Sequence, residues 1–197
     1  MQNTQALDET PYRAFLYDYF GLFFRGIHDE SWRSRWADAA RICTALCEDD
    51  AAVPETLPET LPDALDIERA CATAFYGVGS ETVPLAQSCW ENDKQLHCGD
   101  ACRKCRELYA RHGLVNDCPD HLPDDHAGIV LPFAAELLRR GETEALRSFI
   151  VHGIGSWWPK AEAALRARPE WTSLSPVLET FGRFLAREVD AVQNEAR

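Results

Sequence analysis

Residues Leu122-Pro123-Asp124-Asp125-His126-Ala127-Gly128 lead straight into an apolar run that ends at Leu138. Between Ala127 and Leu138 the only charge is Glu136. A helix apolar on nearly every face belongs at the centre of a fold, so the rest of the chain must wrap around this one. The pattern predicts a helix over 123–140. Pro123 suits its first position, where a missing N–H costs nothing. Asp124 and Asp125 then fall in the first turn, against the positive end of the helix dipole. Gly141 follows Arg139 and Arg140 as a stop signal. Pro132 is the exception within the run. It removes the partner of the Gly128 carbonyl, at about 3 kcal/mol or a kink.

The remaining sequence is helical in period. Tyr12, Phe15, Leu16, Tyr19, Phe20 and Phe23 share one face of a segment at 9–27. Trp32, Trp36, Ala39, Ala40, Cys43 and Cys47 do the same over 31–48, with Ser31 as the N-cap. Pro54, Pro58 and Pro62 stand four apart in a tandem tetrapeptide that cannot continue a helix, so 50–62 reads as a linker. Residues 63–77 are helical again, and 78–98 read as a long ordered loop or broken turns. Further helices are expected near 100–112, 142–157, 159–168 and 174–194, with breaks at Arg168-Pro169 and Ser175-Pro176. No segment alternates as a strand does. The expectation is an all-α chain with one helical domain over 1–197.

Charge narrows the function classes. The net charge of −12 opposes nucleic-acid binding, which needs a basic footprint, and suits a basic partner. Eight acids and no Lys or Arg lie between Glu48 and Glu68, a solvated acidic surface. The first ten residues are polar and lack a basic start, so no secretory signal is visible. No apolar run reaches the roughly 18 residues of a membrane span. The expectation is a cytoplasmic chain without stable membrane insertion, its eight cysteines held as thiols.

Two constellations invite a chemical reading. Cys98, Cys102 and Cys105, with Cys118 or His97, have spacings that suit an iron–sulfur or tetrahedral zinc site. The same spacing puts Cys102, Cys105, Tyr109 and His112 on one stripe of a helix, where thiols act as small buried hydrophobes. Asp125 with His126 could be half of an acid–base device, but neighbours one apart on a helix point in different directions. No Gly-x-Ser-x-Gly elbow and no phosphate-cradling glycine loop with lysine is present, so neither catalysis nor a resident cofactor is expected. Recognition and helix capping remain the two readings of His126. Core packing is the reading of Trp157 and Trp158, and Trp90 is a candidate peptide anchor.

An ordered set of motifs carries a family resemblance. Pro123-Asp124-Asp125-His126-Ala127-Gly128 with its apolar helix resembles the signature of the TorD/DmsD/NarJ redox-enzyme maturation chaperones. Upstream, Phe75-Tyr76-Gly77, Pro84, Ser88-Cys89-Trp90, Leu108-Tyr109 and Gly113-Leu114 are similar to that group. Phe149, His152 and Trp157 are similar downstream. The likeness covers roughly 70–190. It departs at Gln87-Ser88, at Pro132 and in the longer His152–Trp157 spacing. His121, in a second Pro-Asp-His at 119–121, is a look-alike at the wrong distance from Gly128.

The resemblance implies a bundle of about eight to ten helices. It implies a chaperone, not an enzyme, for a molybdenum or tungsten oxidoreductase. Such a chaperone binds the client's twin-arginine leader peptide, its apo-form, or both. Phe75, Tyr76, Pro84, Ser88 and Trp90 would form one wall of the peptide site. Asp125 and His126 would be its polar floor, supported by Pro123 and Gly128. The loop 114–123 would be the hinge if protomers exchange helices, leaving a monomer or a helix-swapped dimer as the expected state. The alternative is a cysteine-rich metal or redox protein built on Cys98, Cys102 and Cys105.

Overall fold

The computed structural model describes residues 8–47, 60–77, 82–91 and 98–195, with side chains to 191. Among them are nine α-helices and one 3-10 turn, and no strand longer than a single bridge. The helices are α1 Thr10–Phe24, α2 Glu30–Ser34, α3 Trp36–Leu46, α4 Ala64–Phe75, α5 Asp100–Arg111, α6 Ala127–Arg139, α7 Thr143–His152, α8 Ile154–Arg166 and α9 Trp171–Glu195. The 3-10 turn is Gln87–Cys89. The all-α architecture expected from periodicity is the one observed. The prolines and acids at 48–59, together with Gly79 and His97, lie outside the described residues. Pro62 is described, and its carbonyl accepts from Arg33 Nη2 at 2.7 Å.

α6 occupies the centre, as its composition demands. Its partner is α1, and no other pair of helices packs so extensively. The contact depends on Gly21 of α1: a Cβ there would lie 2.7 Å from Pro132 Cδ and 2.8 Å from Cγ. Pro132 thus fills a notch that only glycine leaves open. The helix runs unbroken through it, because Val130, Leu131, Phe133 and Ala134 are buried on both sides of the proline. Burial of several such side chains, at about 1.5–3 kcal/mol for each large one, exceeds the roughly 3 kcal/mol cost of an interior proline.

Behind α1 lies α9, joined to it by aromatic pairs. Tyr17 meets Phe184 edge-on at 4.8 Å and Phe20 meets Phe181 at 5.1 Å. Trp158 of α8 closes on Phe181 at 4.6 Å. Tyr12, assigned to the apolar face of α1, is 48% exposed, whereas Tyr17 and Phe24 are fully buried. α1 is enclosed on more sides than one amphipathic stripe provides.

Several boundaries differ from expectation. The segment 31–48 is two helices, and the cap is Asp29, whose carboxylate accepts from Trp32 N at 2.9 Å, not Ser31. The 142–157 helix ends at His152, where the ψ of −119° at Gly153 leaves helical space, and α8 then runs through Pro159. Ser175-Pro176 is no break. Pro176 sits inside α9, bridged by buried Leu174, Val177, Leu178 and Phe181.

Candidate functional site

The signature helix starts four residues later than the sequence pattern suggests. Pro123 is not its first residue, and Asp124 and Asp125 are not in its first turn. The helix begins at Ala127 with His126 as the N-cap, in extended conformation at φ −74°, ψ 138°. His126 Nδ1 accepts the Gly128 N–H at 3.1 Å. An acceptor there needs the Nδ1 lone pair, so the ring proton sits on Nε2. Pro123 supports the cap through its carbonyl, which accepts from His126 N at 3.0 Å. The space against Gly128 is occupied by Arg25: a Cβ there would lie 2.6 Å from Arg25 Cγ. A larger residue would push α1's last turn off the start of α6.

Because Asp124 and Asp125 precede the helix, they turn inward and sideways. The loop 82–91 pairs with them edge to edge. Ala86 and His126 form an antiparallel bridge, and Ala127 N donates to Leu85 O at 2.8 Å. Gln87 N donates to the Asp125 carbonyl at 3.2 Å, and Ser88 N to Asp125 Oδ2 at 2.7 Å. The Asp125 side chain is fully buried, and its Oδ1 has no hydrogen-bond partner among the described residues. A buried carboxylate oxygen left unpaired costs free energy that the fold recovers elsewhere.

Asp124 is pinned from α5 and the following loop. Arg106 Nε donates to its Oδ2 at 2.8 Å, and Asn116 Nδ2 to its Oδ1 at 3.1 Å. The Tyr109 hydroxyl donates to the Asp124 carbonyl at 2.5 Å. Cys102 Sγ lies 3.8 Å from Oδ2. Burial, reinforced by the nearby Asp125 charge, pushes the Cys89 and Cys102 thiols up to about 11 and Cys105 up to about 12. At neutral pH these three are protonated and are weak nucleophiles.

Of the other sequence-picked residues, Trp90 closes the corner. Its indole N–H donates to the Pro84 carbonyl at 3.0 Å, and its ring stacks on Trp157 at 6.3 Å and 13°. Phe75 and Tyr76 stand apart at the end of α4. Phe75 meets Phe23 and Phe24 edge-on, and Tyr76 is 48% exposed beside Gly26. Ser88, Asp125, His126 and Gly128 therefore form one structure, Pro84 and Trp90 flank it, and Phe75 and Tyr76 line a neighbouring surface. His121, the look-alike, is exposed at φ 52°. The sequence did not single out Arg106, Asn116 or Arg25. Their contacts span 8 to 18 positions of chain, or bridge separate helices, and carry no local signature.

Beside the corner an open cleft of about 580 Å³ runs between α5 and α7. Its floor is Cys105, Leu108, Ala145 and Phe149, and its rim carries Lys104 and Arg111. Gln87 closes one end, donating through Nε2 to the His152 carbonyl at 3.1 Å. Among the described residues no group of three or more His, Cys, Asp or Glu side chains is arranged to hold a metal ion, so Cys98, Cys102, Cys105 and Cys118 do not converge as ligands.

A family model for the nitrate reductase delta subunit matches residues 29–163, more than half of the chain. That span contains Ser88, Arg106 and the whole 123–128 signature. The chain belongs to this family. Delta-subunit family members are NarJ/TorD-type chaperones of molybdoenzyme maturation that act on molybdoenzyme subunits. No curated protein and no solved structure matches the chain. No helix among the described residues is long and apolar enough to cross a membrane.

Proposed function

We propose that this chaperone acts in the cytoplasm by binding the twin-arginine leader of a molybdenum or tungsten oxidoreductase. It holds the apo-form of that client until the cofactor is inserted. The observation that carries the reading is the buried junction of Asp125 with Ser88. It fixes the Pro84–Trp90 loop against the start of α6, beside an open cleft with an apolar floor. A leader is a basic stretch followed by an apolar one. The net charge of −12 attracts the first over long range, and the cleft offers burial to the second. Asp125 Oδ1 is an acceptor without a partner among the described residues, and because it is fully buried a donor from the leader would satisfy it only as the corner opens. The role is binding rather than catalysis. Phe75 and Tyr76 belong to the outer part of the surface, where an extended peptide passes.

Titration of a synthetic leader into Asp125→Ala and His126→Ala tests this. Both variants should bind about tenfold or more weakly, the loss expected for a hydrogen bond to a charged group. Their helix content by circular dichroism should be unchanged. Normal binding by both would end the recognition role and leave only the capping one.

A further inference from the structure

The guanidinium of Arg25 has no part in the reading above. Arg25 is the C-cap of α1, where the helix dipole favours a cation. Its stem lies against Gly128, where there is no room for a Cβ. Its Nε is buried without a hydrogen-bond partner, and the guanidinium has no ion pair among the described residues. Other arginines close to α6 are occupied: Arg106 holds Asp124, Arg139 holds Asp18 and Arg140 holds Glu136. In a chain of net charge −12, a half-buried cation left without an acid is an exception. Arg25 borders a second pocket, of about 300 Å³, between the end of α1, the loop 114–119 and the first half of α6. Leu114, Ile129, Pro132 and Phe133 give it apolar walls, and it shares no lining residue with the α5–α7 cleft. On its lining Val115 is 82% exposed, the most exposed large apolar side chain described. The other donors there are already taken. Gly128 N is held by His126 Nδ1, Ile129 N by the His126 carbonyl, Asn116 Nδ2 by Leu122 O and Asp124 Oδ1, and the Tyr109 hydroxyl by the Asp124 carbonyl. Arg25 is the donor left to a ligand.

We propose that this pocket binds a monoanionic carboxylate on a compact apolar body, with Arg25 as its partner. A planar guanidinium offers paired N–H groups to the two oxygens of a carboxylate. Nε is buried, so the Nη groups make the contact. One cation balances one negative charge. The second charge of a phosphate dianion would have no counter-ion, and Glu136 and Asp117 on the same lining would repel it. The packed stem of Arg25 has already lost rotamer freedom on folding, so less is lost when a ligand is held. Leu114, Ile129 and Phe133 supply apolar contact to the body of the ligand. The carboxylate comes either from a free organic acid or from an acidic side chain flanked by apolar residues in a peptide. The chemistry at Arg25 is the same for both.

Calorimetric titration into the full chain tests this with four probes: 3-phenylpropanoate, its neutral amide, inorganic phosphate and the blocked peptide acetyl-Leu-Glu-Leu-amide. At least one of the two carboxylates should bind saturably, at one per chain. The neutral amide and phosphate should bind about tenfold or more weakly, a comparison that needs no variant. Arg25→Gln should weaken the carboxylate about tenfold or more, and Arg25→Lys roughly threefold, because the charge stays and the fork is lost. Val115→Asp, a change at an exposed position, should weaken it roughly threefold by repulsion. Binding of the free acid alone supports the proposal with a small organic acid as the source. Binding of the peptide about tenfold or more tightly than the free acid supports it with an acidic polypeptide segment as the source. Saturable binding of neither carboxylate would overturn the proposal. So would phosphate or the amide binding as tightly as the acid, or Arg25→Gln binding it unchanged. Failure of leader binding leaves this test standing, because the two sites share no lining residue.

Discussion

Two buried carboxylates, Glu188 and Asp125, are held in contrasting ways. Glu188 of α9 is surrounded by donors. Arg13 reaches it through Nε at 2.8 Å and Nη2 at 2.7 Å, Tyr17 at 2.6 Å, and Arg187 at 2.9 Å. Both of its oxygens are satisfied and its charge is opposed twice. Asp125 is more deeply buried, yet among the described residues it has one backbone donor on Oδ2, none on Oδ1 and no salt bridge. The first arrangement ties α9 to α1 and has nothing left to offer a partner. Under the proposed function, the second keeps an acceptor in reserve beside an open cleft. Satisfied buried charge marks the frame, and unsatisfied buried charge marks the place where a ligand is expected.

Removing each charge isosterically should break the symmetry between them. Glu188→Gln leaves Arg13 and Arg187 without their counter-charge, and should cost about 3 kcal/mol of stability in chemical denaturation. If it costs under about 1 kcal/mol, the clamp is not what holds α9 to α1. Next in size is Gly21→Ala, which drives a methyl group into Pro132. The α1–α6 contact has no slack, so about 2 kcal/mol should be lost, read as a lower Tm with unchanged helical signal.

How much of this was legible in the sequence depends on how local each cause is. Apolar periodicity is written within one helix, and it located the central α6 and the all-α class. Pro132 and Pro176 were harder, because a proline's local cost is visible in sequence while the burial that outweighs it is not. The signature itself stood out, but its geometry did not. Pro-Asp-Asp reads as a first helical turn, yet Asp124 and Asp125 form a turn closed by His126 N on the Pro123 carbonyl, and the bridge to Ala86 holds His126 extended before the helix opens. The Ser88 donor to Asp125 is a main-chain N–H 37 positions away, which any residue but proline would supply. The clamp on Glu188 was likewise out of sight, since Arg13 and Tyr17 lie over 170 positions from it.

The thiols around the corner sharpen the contrast by pH. Burial, then the Asp125 charge, lifts Cys89 and Cys105 from an ordinary value of 9.0 to about 11 and about 12. A raised value means the folded state holds these protons more tightly than the unfolded one. Their contribution is therefore fully present below pH 9 and lost as pH climbs through 11 to 12. Denaturation followed from pH 8 to 11 should show a progressive fall in stability, diminished in Cys105→Ala relative to its own value at pH 8. A flat profile would place these thiols in a more solvated setting than the corner described.

The smallest stability effect belongs to Asp125→Asn. The variant keeps an acceptor for Ser88 N and removes a charge that has no salt bridge among the described residues, so its midpoint should lie within about 0.5 kcal/mol of wild type or rise. That makes it the cleanest probe of function, since folding and binding part company there. Calorimetric titration of the twin-arginine leader into wild type and Asp125→Asn, at equal helix content, is the most direct test. An affinity about tenfold lower in the variant is the predicted result. Equal affinity in the two proteins would contradict the claim that the buried, half-satisfied aspartate is held for a partner.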